Sequence, residues 1–228
     1  MPASLVDRAS EPYRVSGEFA YRFARGKLST DPVFRAMLEL GLLNGRERIL
    51  DLGCGQGLLS AWLRAALLHY QSGDWPAAPA PHSTRGIELM GRDVERARRA
   101  LGAACGISQG DIRNAEFGST DAVVILDVLH YMAAEDQIQV LRRVRAALPA
   151  RGLLLLRIGD AGAGLRFRCS QWVDKLVMLF RGHSWAPMHC RSAAQWSALL
   201  GECGFDVSSA PMSRGTPFAN VLLIAHAR

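Results

Sequence analysis

A short apolar run, Ile49-Leu50, closes on an acid and then turns through alternating glycines, Asp51-Leu52-Gly53-Cys54-Gly55-Gln56-Gly57. Glycine accepts positive φ and carries no Cβ, so three of them two residues apart let backbone approach a ligand closely. The residues from Gly57 to Leu68 then read as a helix. Such a turn aims a helix N-terminus at its occupant, and its amides can hold a carboxylate or a phosphate. Strand, glycine turn and helix in this order commit the chain to an α/β fold with a site for a nucleotide-type cofactor.

The rest of the chain alternates in the same way. Asp31-Pro32 starts a helix, with Asp as N-cap and Pro at the first helical position, and Phe34, Met37, Leu38 and Leu42 mark its apolar face. Strands are expected at Arg48 to Leu52, Arg85 to Leu89, Gly106 to Gln109, Ala122 to Asp127 and Leu153 to Ile158. The run Ala122-Val-Val-Ile-Leu-Asp127 is apolar throughout, as in a strand covered on both faces. Helices are expected from Arg92 to Leu101, Ala133 to Leu148 and, after the cap Ser192, to Cys203. The chain then gives a strand at Phe205 to Ser209, a loop with Pro211 and Pro217, and a strand at Asn220 to Ala225. That loop leaves no room for a crossover helix, so the last strand should run antiparallel to the one before it. The expected architecture is an open, mostly parallel sheet with helices on both faces. Residues 1–45 form a helical cap on a domain spanning 46–228. The domain carries a Pro/Gly/Ser-rich loop at 71–84 and a helical insert at 165–191.

At 228 residues the chain suffices for one well-filled core. The formal charge is +6, and all 27 basic residues except Lys27 and Lys175 are arginine. They are scattered over helix faces such as Arg92, Arg96, Arg98 and Arg99. No dense basic run points to nucleic acid. The five cysteines are odd in number and form no Cys-x-x-Cys pair, which points to a reducing, cytoplasmic compartment. Cys54, inside the glycine turn, reads as packing. The start Met1-Pro2-Ala3-Ser4-Leu5-Val6-Asp7 lacks the features of a signal peptide, and no run approaches the 18 or so apolar residues of a span. The stretch Trp172, Val173, Leu176, Val177 and Phe180 has an apolar face. That face suits a core helix, a cover for an acceptor, a dimer contact or a peripheral membrane contact. The oligomeric state stays open, and no metal site is expected.

Four acids stand at the expected C-terminal ends of successive strands, where ligands bind in open α/β sheets. They are Asp51, Glu88 with its neighbour Leu89, Asp111 in Gly110-Asp111-Ile112, and Asp127 in Asp127-Val128-Leu129-His130. Glu88 can accept hydrogen bonds from a ribose diol, and Asp111 from an exocyclic adenine amine with Ile112 against the ring. Asp51 would repel a diphosphate and can accept from an ammonium group. These motifs resemble, in order, those of class I S-adenosylmethionine-dependent methyltransferases, over residues 46–158 and 192–228.

The resemblance implies a Rossmann-like, seven-stranded sheet with an antiparallel last strand, and S-adenosyl-L-methionine as cofactor. It also implies that Gly53, Gly55 and Gly57, with Cys54 between them, line the methionine moiety. Asp51 would meet its amino group, Glu88 the ribose and Asp111 with Ile112 the adenine, with Asp127 completing the site. One departure is the spacing: Glu88 lies 37 residues after Asp51, where about 20 is usual for such an acid, and the 71–84 loop supplies the excess. Segments Phe19 to Lys27, Arg166 to Lys175 and Gly215 to Asn220 also resemble methyltransferases of bacterial aryl-polyene or xanthomonadin-type pigment pathways. That likeness implies O-methylation of an aromatic hydroxyl or carboxylic acid, free or carrier-linked.

Methyl transfer is an in-line displacement dominated by alignment and water exclusion, and a phenol also gains from a base. His130, directly after the fourth strand, is the leading candidate, with Asp160, His183 and His189 behind it. Tyr21 or Arg22 in the N-terminal segment could close on the cofactor's carboxylate. Two other classes stand beside this one, a cofactor-binding but non-catalytic scaffold and an NAD(P)-linked oxidoreductase.

Overall fold

The structure, a computed structural model, describes residues 4–71, 83–103, 105–163, 189–213 and 219–228. Its strands are β1 (Arg48–Leu52), β2 (Ser83–Glu88), β3 (Ile107–Gln109), β4 (Ala122–Leu126), β5 (Leu153–Gly159), β6 (Phe205–Pro211) and β7 (Asn220–Ala227). They make one seven-stranded sheet in the order β3-β2-β1-β4-β5-β7-β6. The helices among the described residues are α1 (Leu5–Ser10), α2 (Glu18–Thr30), α3 (Pro32–Glu39), α4 (Leu58–Gln71), α5 (Gly91–Leu101), α6 (Ala134–Ala147) and α7 (Ala193–Glu202). Short 3-10 turns occupy Glu11–Ser16, Leu129–Tyr131 and Ala161–Ala163. This is the Rossmann-like architecture expected, mostly parallel and flanked by helices. The contacts divide the chain into two compact units, residues 1–116 with 120–122, and residues 117–119 with 123–228.

In the first unit, β1 pairs parallel with β2 in a register that sets Asp51 opposite Gly86, and β2 pairs parallel with β3, setting Glu88 opposite Gln109. β2 begins at Ser83, two residues before its expected start, and Ser83 N–H donates to Glu47 O at 2.7 Å. Ile49, Leu50 and Leu52 are buried, so β1 is packed on both faces and Asp51 is carried into the interior with them. α4 follows the glycine turn and buries Leu58, Leu59, Trp62 and Leu63. The Trp62 indole N–H donates to Phe34 O at 2.8 Å, satisfying the polar edge of a buried ring. α3 starts as expected, Asp31 Oδ1 accepting from Val33 N–H at 3.1 Å behind Pro32. α1 opens on a capping box in which Ser4 and Asp7 satisfy each other's amides. It packs on α4, while the Glu11–Ser16 turn packs on α5.

In the second unit, Val123, Val124 and Ile125 of β4 and Leu154, Leu155 and Leu156 of β5 are all fully buried. β7 lies between β5 and β6 and is antiparallel to both, with Leu155 opposite Ile224 and Phe205 opposite Ala227. The expected antiparallel close of the chain is therefore present. Both final strands run two residues past their expected ends, to Pro211 and Ala227. Pro211 is tolerated because it ends an edge strand, where no ladder donor is needed. Among the described residues no helix is long and apolar enough to cross a membrane.

Candidate functional site

Gly53, Gly55 and Gly57 hold φ of +74°, +55° and +75°, the left-handed region that strains any side chain but favours glycine. Their amides are spoken for. Gly53 and Cys54 N–H both donate to Ile87 O (2.8 and 3.3 Å), Gly57 N–H to Cys54 O (2.9 Å), and Gly55 N–H to Glu88 Oε2 (2.8 Å). The sequence leaves these amides open for a carboxylate or phosphate; in the fold these four are satisfied by the protein itself. A Cβ on Gly57 would stand 2.3 Å from Ile107 Cδ1, and one on Gly86 2.6 Å from Cys54 Sγ. Those two glycines are required by packing. A Cβ on Gly55 would meet nothing within 4 Å, so this is where the loop leaves room for an occupant. Cys54 is buried and its thiol pKa is pushed up, first by burial and then by the charges of Asp51 and Glu88. Its sulfur occupies the space beside Gly86.

Asp51 is almost wholly buried, and burial together with the charge of Glu88 raises its pKa to about 7. Glu88 accepts from Gly55 N–H through Oε2 and from Met90 N–H through Oε1 at 2.9 Å. A carboxylate offers roughly four acceptor positions, so two remain for a diol. Glu88 therefore lies beside the glycine turn, while residues 72–82 of the expected loop lie outside the described residues. Leu89, next to it, is half exposed at 52%. Asp111 follows β3, and its two oxygens receive Arg113 Nε at 3.0 and 2.9 Å. That guanidinium lowers the Asp111 pKa. Ile112 is buried behind it. The first unit therefore gathers Asp51, the glycine turn, Glu88, Asp111 and Ile112 at the C-terminal ends of three adjacent strands.

Arg22 is exposed and paired with Glu18 within α2 (2.6 Å), and Tyr21 lies under the Arg14 guanidinium at 3.8 Å. The side chain that reaches the glycine turn is Tyr13, whose hydroxyl donates to Gln56 O at 2.7 Å. A single tyrosine after Pro12 in a six-residue turn carries no periodicity, and sequence reasoning passed over it.

In the second unit Asp127 has φ of +58°, a strained position for a residue with a side chain. It is over-determined by Arg157, which is 1% exposed. Arg157 Nε donates to Asp127 Oδ1 at 3.0 Å, its Nη2 pairs with Oδ2, and Asp127 N–H reaches Arg157 O. A lone arginine inside the apolar run Leu153–Gly159 marks a buried charge in need of a partner, without saying which. His130, in the turn after β4, is half-buried, with its ring centroid 4.0 Å from that of Tyr131. Loss of solvent around the ring lowers its pKa, with the Asp127 charge opposing, which favours the neutral imidazole.

His189 N–H donates to His130 O at 2.9 Å, which brings two of the candidate histidines together through the backbone. Gln137, fully buried in α6, locks this arrangement. Its Nε2 donates to the carbonyls of Leu129 (3.0 Å), Met132 (3.2 Å) and His189 (2.8 Å), and its Oε1 accepts from Arg191 Nε (2.9 Å). Asp160 Oδ1 accepts from Gly162 N–H (2.9 Å) and Ala193 N–H (3.0 Å), tying the end of β5 to the start of α7. His183 lies outside the described residues, as does all of the 165–191 insert except His189, Cys190 and Arg191.

Residues 50–154 match the family model of a methyltransferase domain. A solved O-methyltransferase family protein from Burkholderia thailandensis is 18% identical, with a TM-score of 0.64 over 94% of this chain and 61% of that one. The magnesium protoporphyrin IX methyltransferase of Synechocystis, solved with bound S-adenosylhomocysteine, is 18% identical, with a TM-score of 0.61 over 96% and 94% of the two chains. The fold is that of class I S-adenosylmethionine-dependent methyltransferases. A carboxy-S-adenosyl-L-methionine synthase from Chromohalobacter salexigens is 30% identical over 127 residues, 51% of this chain. The chain spans 43% of the length of that relative.

S-adenosyl-L-methionine, the cofactor of this methyltransferase fold, fits the residues of the first unit. A buried acid faces the turn for an ammonium, Glu88 retains acceptor positions for a ribose, and the backbone at Gly55 is uncovered. A diphosphate fits poorly, because two buried carboxylates repel it and four loop amides are already used.

Proposed function

We propose that this chain binds S-adenosyl-L-methionine at the glycine turn and transfers its methyl group to an oxygen of a small-molecule acceptor. The observation that carries this is the pairing of Asp51 and Glu88, two buried acids beside a glycine turn whose amides are internally satisfied. Asp51 accepts from the ammonium of the cofactor, Glu88 from its ribose hydroxyls, and Asp111 with Ile112 and Leu89 borders the adenine. When bound, the cofactor would supply an electrophilic sulfonium methyl to the acceptor oxygen, with S-adenosylhomocysteine as the leaving thioether. His130, whose lowered pKa favours the neutral imidazole, is suited to take the proton from an aromatic hydroxyl near neutral pH. Gln137 and the His189 N–H hold the His130 turn in place. An aromatic hydroxyl or acid, free or carrier-linked and made by a pigment-type pathway, is the finer assignment, resting on the likeness of Phe19 to Lys27, Arg166 to Lys175 and Gly215 to Asn220 to aryl-polyene methyltransferases.

The direct test offers labelled S-adenosylmethionine with a panel of phenols and aromatic acids. Label in the acceptor and release of S-adenosylhomocysteine are expected, with kcat/KM of His130→Ala reduced and its dependence between pH 6 and 9 flattened. An unchanged profile in His130→Ala would remove the base role. Cofactor binding without turnover of any acceptor would favour a scaffold. A second outcome is favoured by the likeness to the carboxy-S-adenosyl-L-methionine synthase, namely that the cofactor itself is the substrate. In that case, with a carboxyl donor added to the assay, the methyl group would exchange a proton for the donor's carboxyl group and its labelled carbon would stay on sulfur, a product that mass spectrometry separates from S-adenosylhomocysteine.

A further inference from the structure

The peptide between Gln56 and Gly57 is held at both ends. Its carbonyl accepts from the Tyr13 hydroxyl at 2.7 Å, and its N–H donates to Cys54 O at 2.9 Å. Gly57 has φ of +75°, and a glycine takes negative φ as readily as positive. Rotating this peptide by half a turn therefore meets little backbone resistance at Gly57 itself, and the bonds at its two ends select one orientation. The Gln56 side-chain Oε1 is buried without a hydrogen-bond partner, so that side chain gives the loop no such anchor. Tyr13 lies 43 residues away in sequence and is fully buried. It sits in a turn packed against α1, α2 and α5, which makes it a fixed strut.

We propose that Tyr13 is a positioning residue for the cofactor: its hydroxyl fixes the Gln56–Gly57 peptide and with it the Gly55 backbone against which the methionine moiety lies. This rests on the cofactor assignment above. Tyr13 touches no reacting atom and acts through the loop. Burial raises the phenol pKa, so it stays protonated and remains a donor over the working pH range. The N-terminal segment thereby acts on the cofactor site through Tyr13.

Calorimetric titration of the full chain with S-adenosylhomocysteine tests the assignment. Tyr13→Phe keeps the ring and removes the donor, and it should weaken binding at least fivefold. Ser10→Ala removes another buried hydroxyl of the same segment, one bonded to Val6 O within α1, and should bind as the wild type does even where its melting temperature falls equally. Wild-type affinity in a folded Tyr13→Phe overturns the proposal. Failure of the wild-type chain to bind overturns the cofactor assignment instead. Should Tyr13→Phe fail to fold, amide hydrogen exchange on the wild-type chain decides. Saturation with S-adenosylhomocysteine should slow exchange in the Glu11–Ser16 turn together with residues 53–59, and protection confined to the loop sinks the idea.

Discussion

Asp51 pays for its position in water lost, and the consequence can be read as a dependence on pH. Its carboxyl titrates near 3.8 when unfolded and near 7 in the fold, raised first by burial and then by Glu88. Between those values the folded chain keeps a proton that the unfolded chain has released. Stability therefore falls as pH rises from about 4 to about 7 and is level in this respect beyond it. A bound ammonium favours the charged carboxylate, so affinity for S-adenosylhomocysteine should rise as pH passes through 7. Asp51→Asn separates the two effects. The variant should melt higher than the wild type at pH 8 and lose the slope below pH 7. Its affinity for S-adenosylhomocysteine should drop by at least about tenfold, roughly 1.4 kcal/mol. Melting curves at pH 5 and pH 8 with one titration check this, and an Asn variant less stable at pH 8 would show that the carboxylate is satisfied where it sits.

The glycine turn shows how neighbouring positions of one element can be glycine for different reasons. Gly57 has no space for a Cβ, which would meet Ile107 Cδ1, whereas Gly55 faces open space. Both lie in the left-handed region, where an alanine costs about 1–2 kcal/mol, and the clash at Gly57 adds about 1–3 kcal/mol for overpacking. Gly57→Ala should thus show the larger loss in urea denaturation. Gly55→Ala should keep most of its stability and lose more affinity for S-adenosylhomocysteine, since its methyl enters the space left for the ligand. Equal losses of stability would mean that the Gly55 side is filled by protein.

Across the molecule, what could be read from sequence was what local pattern encodes. Strands β1, β3, β4 and β5 fell within a residue of expectation, β4 and β5 because their apolar runs are bounded by an acid or glycine, β1 and β3 because a glycine follows closely on each. The order of Asp51, Glu88 and Asp111 was legible for the same reason, each acid closing its own strand. The contacts from Tyr13 to Gln56 and from Arg157 to Asp127 were not, since they join residues 43 and 30 apart and depend on how elements pack. Arginine followed a local rule again. Arg14, Arg22, Arg35 and Arg99 pair with glutamates three or four residues away on their own helices, so much of the basic character is spread as exposed short-range pairs worth a few tenths of a kcal/mol each.

The proposed cofactor assignment predicts a selective response of the whole chain to ligand. The Asp51 and Glu88 carboxylates and the satisfied loop amides favour a cationic methionine moiety and oppose a diphosphate. Ligand that binds only the folded chain at about a hundred times its Kd adds about 2.7 kcal/mol of stability. For a chain of this size each kcal/mol moves the midpoint by roughly 2–4 °C. Saturating S-adenosylhomocysteine should therefore raise the melting temperature by about 5–10 °C. NAD at the same concentration should leave it unchanged, because its diphosphate finds buried carboxylates and no free donor among those four amides. A shift with NAD and none with S-adenosylhomocysteine would reverse the assignment of the glycine turn, and with it the roles given to Asp51 and Glu88.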